Sequence, residues 1–478
     1  ATNLSSTQMT AQSGDAYRLG LTAANPQMMG GIMMVVAAIY FVPMYLRKGF
    51  YTIPQFLETR YNRFCKLFYS VVIVFDGFLK APVGVYAGSL AIVKVFNLDE
   101  SHLLTVAIIM GTSVGIYSIV GGLMSVVVTD VIQVSILMLG GVLVLVFGLA
   151  EIPDLGVFWA EMKETHLEMI QPADSKGFPW TGVASGLALI SLVWASSNAG
   201  MLQRVLGAKD VREAQVGMIF AGFLKISAVF LIVFPGVIAA YLYPGENPEG
   251  VYAVMVREML PPVLAVIVLA ALLAALMSSQ DSGVCNVASI VALDLWPLIN
   301  KNTSEKRALL IGRITATSML AFGIFASPMM GEVESVYRYV MKIGSFVIFP
   351  IGICFLGGRF FKRANQYGAM AVLISGVPWG MTNMLLTSYE PLMGYAPEWM
   401  IETNFFLLSF YYAMGYLVLL LVVSLLTKAP KPEQVEFMST MNKELDEEGE
   451  VVKGVWYRKR EFWYGLFFAT WIGVYWVF

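Results

Sequence analysis

A short run deep in an apolar segment carries the most concentrated chemistry of this sequence. The run is AALMSSQDS, residues 274–282, within the apolar stretch 262–297. In a helix, Ser278, Asp281 and Ser282 fall at i, i+3 and i+4, so their oxygen atoms lie on one face. Hard cations such as Na⁺ bind to carboxylate, hydroxyl and carbonyl oxygens. The pattern therefore predicts a cation site, whereas hydroxyls that bond backbone carbonyls of their own helix are the alternative.

The start of the chain is a second polar group. Residues 1–8 read ATNLSSTQ, and such a segment is tolerated at membrane depth only where irregular backbone lines a cavity. Broken helices of this kind hold the central binding sites of secondary transporters. An ordinary extramembrane terminus is the alternative. The chain begins abruptly in this polar run, which reads as the middle of a longer segment.

Isolated charges inside apolar segments form a third group of candidates. Asp130 is expected to face a cation or a hydrogen-bond donor, and a helix cap or a bond between helices is the alternative. Asp76 and Lys80 have the i, i+4 spacing of an ion pair that neutralises itself. Lys225 has no partner nearby in the sequence and is expected to reach a polar cavity. Trp194, in an unusually polar segment, either covers a ligand or bonds between helices.

Composition shows which elements must position these residues. Apolar residues make up 58% of the chain and charged residues 13%, with a mean hydropathy of +0.70. Soluble domains carry about 25% charged residues. Apolar runs long enough to cross a hydrocarbon core of about 30 Å recur along the chain. The sequence therefore predicts an all-α protein that crosses the lipid bilayer of the cell membrane many times, the inner membrane in a bacterium.

Other classes of protein are disfavoured by the same sequence. A net charge of −2 provides no basic field for nucleic acid. No nucleophile elbow, phosphate loop or zinc-ligand spacing is present, so an enzyme is not expected.

Thirteen helical segments are predicted from the apolar runs. They lie near 4–22, 28–46, 65–97, 102–120, 123–150, 181–203, 213–243, 262–297, 307–328, 332–358, 365–387, 404–427 and 461–478. Basic residues concentrate in alternate loops, which places the loop after the second segment in the cytoplasm and the C-terminus outside. The polar stretch 428–460 is expected to be a solvated cytoplasmic connector.

Several stretches, together with the last apolar segment, carry a resemblance to a known family. They are KGFYTIPQFLETRYN, YSIVGGLMSVVVTDVIQ, LQRVLGAKDVREAQ and AALMSS. With these stretches the chain resembles the sodium:solute symporter family, closest to its sodium/glucose (galactose) cotransporter branch. The resemblance implies a fold of two five-helix inverted repeats with peripheral helices. It also implies Na⁺ as the coupling ion and a small-molecule solute as the second partner.

The resemblance also implies a division of the chain into parts. The transport core would be 1–358, with its first helix truncated at the N-terminus and repeats at about 1–150 and 181–358. Two peripheral transmembrane helices would follow in 359–427, then the connector 428–460 and a final transmembrane helix at 461–478.

Site residues follow from the same resemblance. The main sodium site would comprise the carbonyls of Ala1, Leu4 and Ala275 with the hydroxyls of Ser278 and Ser279. A second sodium site, present in some members, would comprise Asp130, Ser278, Asp281 and Ser282. The solute would meet Asn3, Gln8 and Lys225, beneath an aromatic gate at Trp194. The family's pocket glutamate, asparagine and glutamine are replaced here by Gln27, Ser191 and Met341.

These features predict import of a small polar organic solute, a sugar or sugar derivative, by alternating access with Na⁺. A symporter for a carboxylate, a polyol or an amine is the alternative within transport. A ligand sensor that keeps the transporter core is an alternative of another class. An ion channel is disfavoured, because no repeated filter sequence is visible.

Overall fold

The computed structural model describes most of the chain. The described residues are 8–48, 53–163, 165–175, 177–198, 205, 207–300, 302–333, 336–388, 390–435 and 460–478. The candidate site residues Ala1, Asn3 and Leu4 and most of the predicted connector lie outside this part. The side chain of Ser279 also lies outside the description, although its backbone is helical.

The described residues are predominantly helical. The first helices are α1 Ser13–Leu19, α2 Asn25–Tyr40, α3 Val42–Lys48, α4 Ile53–Arg60, α5 Arg63–Val95, α6 Leu103–Glu151 and α7 Leu155–Met162. Next are α8 Trp180–Gly182, α9 Ala188–Ser197, α10 Val211–Ala228, α11 Phe234–Leu242, α12 Val251–Met259, α13 Pro262–Ile290 and α14 Trp296–Ile299. The last are α15 Glu305–Ala326, α16 Val336–Ile343, α17 Phe349–Phe360, α18 Gln366–Ser388, α19 Glu390–Met393, α20 Glu398–Glu402, α21 Phe405–Leu426 and α22 Arg460–Val477.

Short helical segments of other pitch connect or interrupt these helices. The π-helical segments are Gln8–Gln12, Val183–Leu187, Val229–Val233, Val291–Leu295 and Gly344–Ile348. The 3₁₀ segments are Gly20–Ala24, Glu100–His102, Pro248–Gly250 and Ser327–Glu332. Single π-turns inside helices are frequent at functional sites.

The lengths of the helices confirm a protein that crosses a membrane repeatedly. Within the described part, ten helical stretches are long and apolar enough to span a bilayer. Two shorter apolar stretches cover 100–116, which is mostly the first part of α6, and 462–477. Ten is fewer than the thirteen predicted segments, because the first two segments count as one stretch, 8–40, and two others count as shorter helices.

One predicted boundary is wrong. The segments 102–120 and 123–150 were expected as separate helices, but the structure has the single helix α6 of 49 residues. A straight helix of that length would extend about 74 Å at 1.5 Å per residue, more than twice the hydrocarbon core. Glycine weakens a helix, and Gly121 and Gly122 lie near the middle of α6.

The two ends of α6 nevertheless lie on the same side of the bundle. Glu100, just before α6, pairs with Lys94 at the end of α5 at 2.6 Å. At the other end, a Cβ on Gly148 would lie 3.2 Å from the Met259 side chain of α12, and α12 packs against α5. The chain therefore reverses direction within α6, so the predicted reversal is present, and α6 comprises two helical arms rather than one straight rod.

The first apolar stretch does break, at Gly20. This residue has a φ of +76°, and a Cβ there would lie 2.4 Å from the carbonyl oxygen of His166. Only glycine combines this backbone conformation with such a close approach. The amide of Leu21 donates to the same carbonyl at 2.6 Å. The chain changes direction at this break, and polar residues on its two sides come together.

The walls of the polar centre are close-packed helices. α2 packs against both α9 and α10, and α6 packs against α13. α2 and α10 approach at a pair of glycines: a Cβ on Gly31 would lie 3.3 Å from the carbonyl oxygen of Gly222. The Phe467 ring of α22 covers both glycines, and the Trp471 indole of the same helix donates to the Met28 carbonyl at 3.1 Å. The final helix therefore supports α2 from outside.

Candidate functional site

An oxygen-rich patch lies where α13 meets α6. On α13, Ala275, Ser278 and Asp281 are fully buried and Ser282 is nearly so. Asp130 of α6 faces them and is only 8% exposed. The helical placement of the three polar side chains confirms that the serines and the aspartate of α13 share one region of the helix, as their spacing predicts.

Asp130 and Ser278 are in direct contact. The Ser278 hydroxyl donates to the Asp130 carboxylate at 2.5 Å, across a gap of 148 residues in sequence. The Ser282 hydroxyl donates to the Ser278 carbonyl at 2.8 Å. Asp130 thus faces a donor, and the contact is the bond between helices that was the alternative for this residue; a role in binding a cation stays a prediction. Because every polar group in this patch is an oxygen, its chemistry suits a hard cation such as Na⁺.

The main sodium site is described only in part. Of its five predicted ligands, Ala275 and Ser278 lie in the described region and are buried. Ala1 and Leu4 lie outside it, and so does the Ser279 side chain. The complete ligand set therefore stays a prediction.

A second polar group forms between α2, α9 and α10. The Lys225 ammonium of α10 donates to the Gln27 side-chain oxygen of α2 at 3.1 Å. It also lies 5.7 Å from the centroid of the Trp194 ring of α9, a cation–π distance. Three of the predicted solute-site residues are thus brought together from three helices.

Glycine makes room for the lysine. A Cβ on Gly30 would lie 2.9 Å from the Cδ, Cε and Nζ atoms of Lys225. Gly30 follows Gln27 by three residues, so both lie on the same face of α2. The Lys225 side chain therefore lies flat across α2 and ends at the Gln27 amide.

Gln12 belongs to this group and was missed by the sequence analysis. The Gln27 amide donates to the Gln12 side-chain oxygen at 2.6 Å, and the Gln12 amide donates to the Ala23 carbonyl at 2.7 Å. Gln12 is fully buried. A glutamine inside a membrane segment is itself a signal, but its partner lies beyond the break at Gly20, which the sequence analysis did not locate.

The other predicted solute residues are less closely connected. Gln8 and Ser191 are half-buried, and neither forms a hydrogen bond with Lys225. Met341 packs against a separate apolar cluster that contains Val83 and Tyr86. Asn3 lies outside the described residues.

The ion pair predicted on α5 is confirmed. The Lys80 ammonium lies 2.7 Å from the Asp76 carboxylate, at i, i+4 within one helix. This pair neutralises itself locally and is distinct from the group around Lys225.

The helical bundle around these two polar groups has the inverted-repeat fold of solved sodium symporters. A Na⁺-coupled sialic acid symporter, solved in a substrate-bound outward-open state, is similar with a TM-score of 0.75 at 18% identity, covering 90% of this chain and 89% of that chain. A nucleobase-cation-symport-1 family transporter in a closed conformation is similar with a TM-score of 0.55 at 11% identity, covering 92% of this chain and 95% of that chain.

The sequence places the chain more narrowly. Residues 1–376 match the model of the sodium:solute symporter family, and the chain belongs to this family. It is 30% identical over 424 residues to the sodium/glucose cotransporter of Vibrio parahaemolyticus, covering 82% of this chain and 77% of the relative. It is 25% identical over 479 residues to the sodium/myo-inositol cotransporter 2 of Mus musculus, covering 91% of this chain and 71% of the relative.

These findings confirm the predicted family, the fold class and the multi-pass membrane location. They also confirm sodium-coupled symport and Na⁺ as the coupling ion. The family and its relatives are transporters, in line with the expectation that the chain is not an enzyme. The domain boundaries and the individual site residues stay predictions.

Proposed function

We propose that the chain imports a sugar or sugar derivative together with Na⁺ by alternating access. The names of its relatives, sodium/glucose and sodium/myo-inositol cotransporters, support a polyhydroxylated solute. The group formed by Gln12, Gln27 and Lys225 supports the same class, because amides and an ammonium provide the donors and acceptors that hydroxyl groups need.

The hydrogen bond between Ser278 and Asp130 is the main observation that supports the Na⁺-binding part of this proposal. It joins α13 to α6 inside the membrane through two oxygens that also suit Na⁺. We assign the main sodium site to the carbonyls of Ala1, Leu4 and Ala275 and the hydroxyls of Ser278 and Ser279. Ion binding there would favour the outward-open state and order the first helix, because Na⁺ can shift the equilibrium only through a difference in affinity between states.

A second sodium ion at Asp130, Ser278, Asp281 and Ser282 extends the proposal. The buried carboxylates of Asp130 and Asp281 belong to elements that meet at Ser278. Carboxylates within a membrane are costly unless a cation or a donor faces them. Asp281→Ala is therefore expected to lower the number of Na⁺ ions carried per solute, measured from the reversal potential of uptake in proteoliposomes. An unchanged ratio of Na⁺ to solute would show that Asp281 does not bind a transported Na⁺.

Na⁺-driven uptake into proteoliposomes tests the whole proposal. Solute is expected to accumulate under an inward Na⁺ gradient and to stop accumulating when K⁺ replaces Na⁺. Uptake that persists in K⁺ would contradict symport.

Ser278→Ala tests the ion site against a matched control. We expect it to raise the Na⁺ concentration for half-maximal uptake by about tenfold, because one ligand of a charged species contributes roughly 1.5 kcal/mol. Ser289→Ala is the control on the same helix, since the Ser289 hydroxyl donates to the Cys285 carbonyl at 2.7 Å within α13. Equal effects of the two substitutions would reject Ser278 as a sodium ligand.

A further inference from the structure

We propose that the solute bound at Lys225 carries a carboxylate, as an acidic sugar such as a hexuronate or an aldonate does. This inference rests on the proposed function and names the chemical class of its solute.

Lys225 is a buried cation without a counter-ion in the described part of the chain. It is 6% exposed, and its ammonium forms no ion pair with any described residue. Its neighbours there are a neutral amide and an aromatic ring. Both favour a positively charged ammonium, the amide through its oxygen and the ring through its negative face, but neither carries a full negative charge.

The amide chain beside Lys225 is neutral and has a fixed orientation. Gln27 accepts from Lys225 and donates to Gln12, and Gln12 donates to the Ala23 carbonyl. The chain thus runs in one direction from the ammonium to the backbone and fixes the orientation of both amides. Gln27 therefore directs its side-chain oxygen at Lys225, and as a neutral amide it does not neutralise the ammonium.

The ammonium retains donors for a ligand. Lys225 has three N–H donors, and among the described residues it makes one hydrogen bond, to Gln27. A neutral hydroxyl would satisfy the remaining donors but not the charge. A carboxylate satisfies both, and charge-assisted hydrogen bonds are about twice as strong as neutral ones. The same charge repels an amine, so an amine is the solute class that this site excludes.

Binding of matched pairs of solutes to the purified full-length protein in NaCl tests the inference. The probes are D-glucuronate against D-glucose and D-gluconate against D-sorbitol, measured by isothermal titration calorimetry. We expect the acid of at least one pair to bind tenfold or more tightly than its neutral partner, about the effect of one charge-assisted contact. Binding of neutral members alone, or binding of both members within about twofold, would overturn the proposal.

Two variants at the lysine sharpen the test. Gln27→Glu supplies the missing charge with the same shape, so the acid should lose its advantage while the neutral partner keeps or gains affinity. Lys225→Gln should lower binding of the acid more than that of its neutral partner. Ser227→Ala, whose hydroxyl donates to the Leu224 carbonyl on the same helix at 2.8 Å, should change neither. An acid preference that survives Gln27→Glu and Lys225→Gln would show that the carboxylate binds elsewhere.

Uptake separates this inference from the proposed function. If the acid binds preferentially but enters proteoliposomes without Na⁺ dependence, the solute class stands and symport fails. If a neutral sugar enters with Na⁺ and the acid does not bind, symport stands and the acidic solute is overturned.

Discussion

Two lysines inside membrane helices are held in opposite ways. Lys80 of α5 pairs with Asp76 one turn earlier at 2.7 Å, and its side chain is 32% exposed. Lys225 of α10 is almost fully buried, and its neighbours are the Gln27 amide and the Trp194 ring from two other helices. The first charge is neutralised within its own helix, whereas the second has no described counter-ion. The difference indicates a structural role for Lys80 and supports the proposal that Lys225 binds the solute.

Removing each lysine should change stability with opposite signs. Lys80→Met leaves the Asp76 carboxylate without its cation inside a membrane helix. We expect a loss of about 2 kcal/mol, between the values for exposed and for buried pairs, measured as a lower midpoint of thermal unfolding in detergent. The double variant Asp76→Asn with Lys80→Met should recover most of that loss. If the losses measured for Lys80→Met and for Asp76→Asn alone simply add in the double variant, the two residues are not coupled.

Lys225→Met should instead stabilise the ligand-free protein. Replacing a buried charge by an apolar side chain of similar volume is often stabilising, and we expect about 1 kcal/mol in the same unfolding measurement. Acidic solute should at the same time cease to bind. Destabilisation as large as that of Lys80→Met would show that Lys225 has a counter-ion in the protein, and the contrast between the two lysines would disappear.

Gly30→Ala should displace the Lys225 ammonium without unfolding the helix. The new methyl would lie 2.9 Å from three atoms of the lysine stem, so the side chain must shift. Affinity for the solute should fall about fivefold, since one hydrogen bond contributes roughly 1 kcal/mol. Gly217→Ala on α10 is the control, because nothing lies within 4 Å of its Cβ position. Equal affinities in the two variants would contradict the assigned position of Lys225.

Trp471→Phe should have the smallest effect. It removes the hydrogen bond from α22 to the Met28 carbonyl, next to Gln27. We expect a loss of about 0.5 kcal/mol of stability and a slight decrease in affinity at Lys225, with the Asp76–Lys80 pair untouched. Trp476→Phe on the same helix is the control, since Trp476 is 89% exposed. An equal loss of stability in Trp476→Phe would show that the effect does not come from the hydrogen bond of Trp471.

Much of the fold was predictable because it depends on local properties. Apolar runs and their lengths predicted the membrane helices, and the i, i+4 spacing predicted the Asp76–Lys80 pair. The continuity of α6 near Gly121 was not predictable. Hydropathy indicates two apolar segments there, but it does not show whether the backbone between them stays helical.

The polar patch on α13 was predictable from residue types, and its partner on α6 was only partly so. Three oxygens within one turn of α13 indicated a cation site. Asp130 needed a cation or donor, but nothing local identified Ser278, which is 148 residues away. The shared hydrogen bond exists because α6 packs against α13.

The sequence by itself determined that both lysines lie in membrane helices and that the chain is a symporter of the sodium:solute family. It also determined that Lys225 has no partner within its own helix, since spacing along one helix is a local property. Only the tertiary structure decided what surrounds Lys225. The break at Gly20 brings Gln12 to Gln27, and close packing at Gly30 and Gly31 lays the lysine across α2. Burial and neighbouring charge depend on contacts between distant segments, so the environment of Lys225 is set by the tertiary structure.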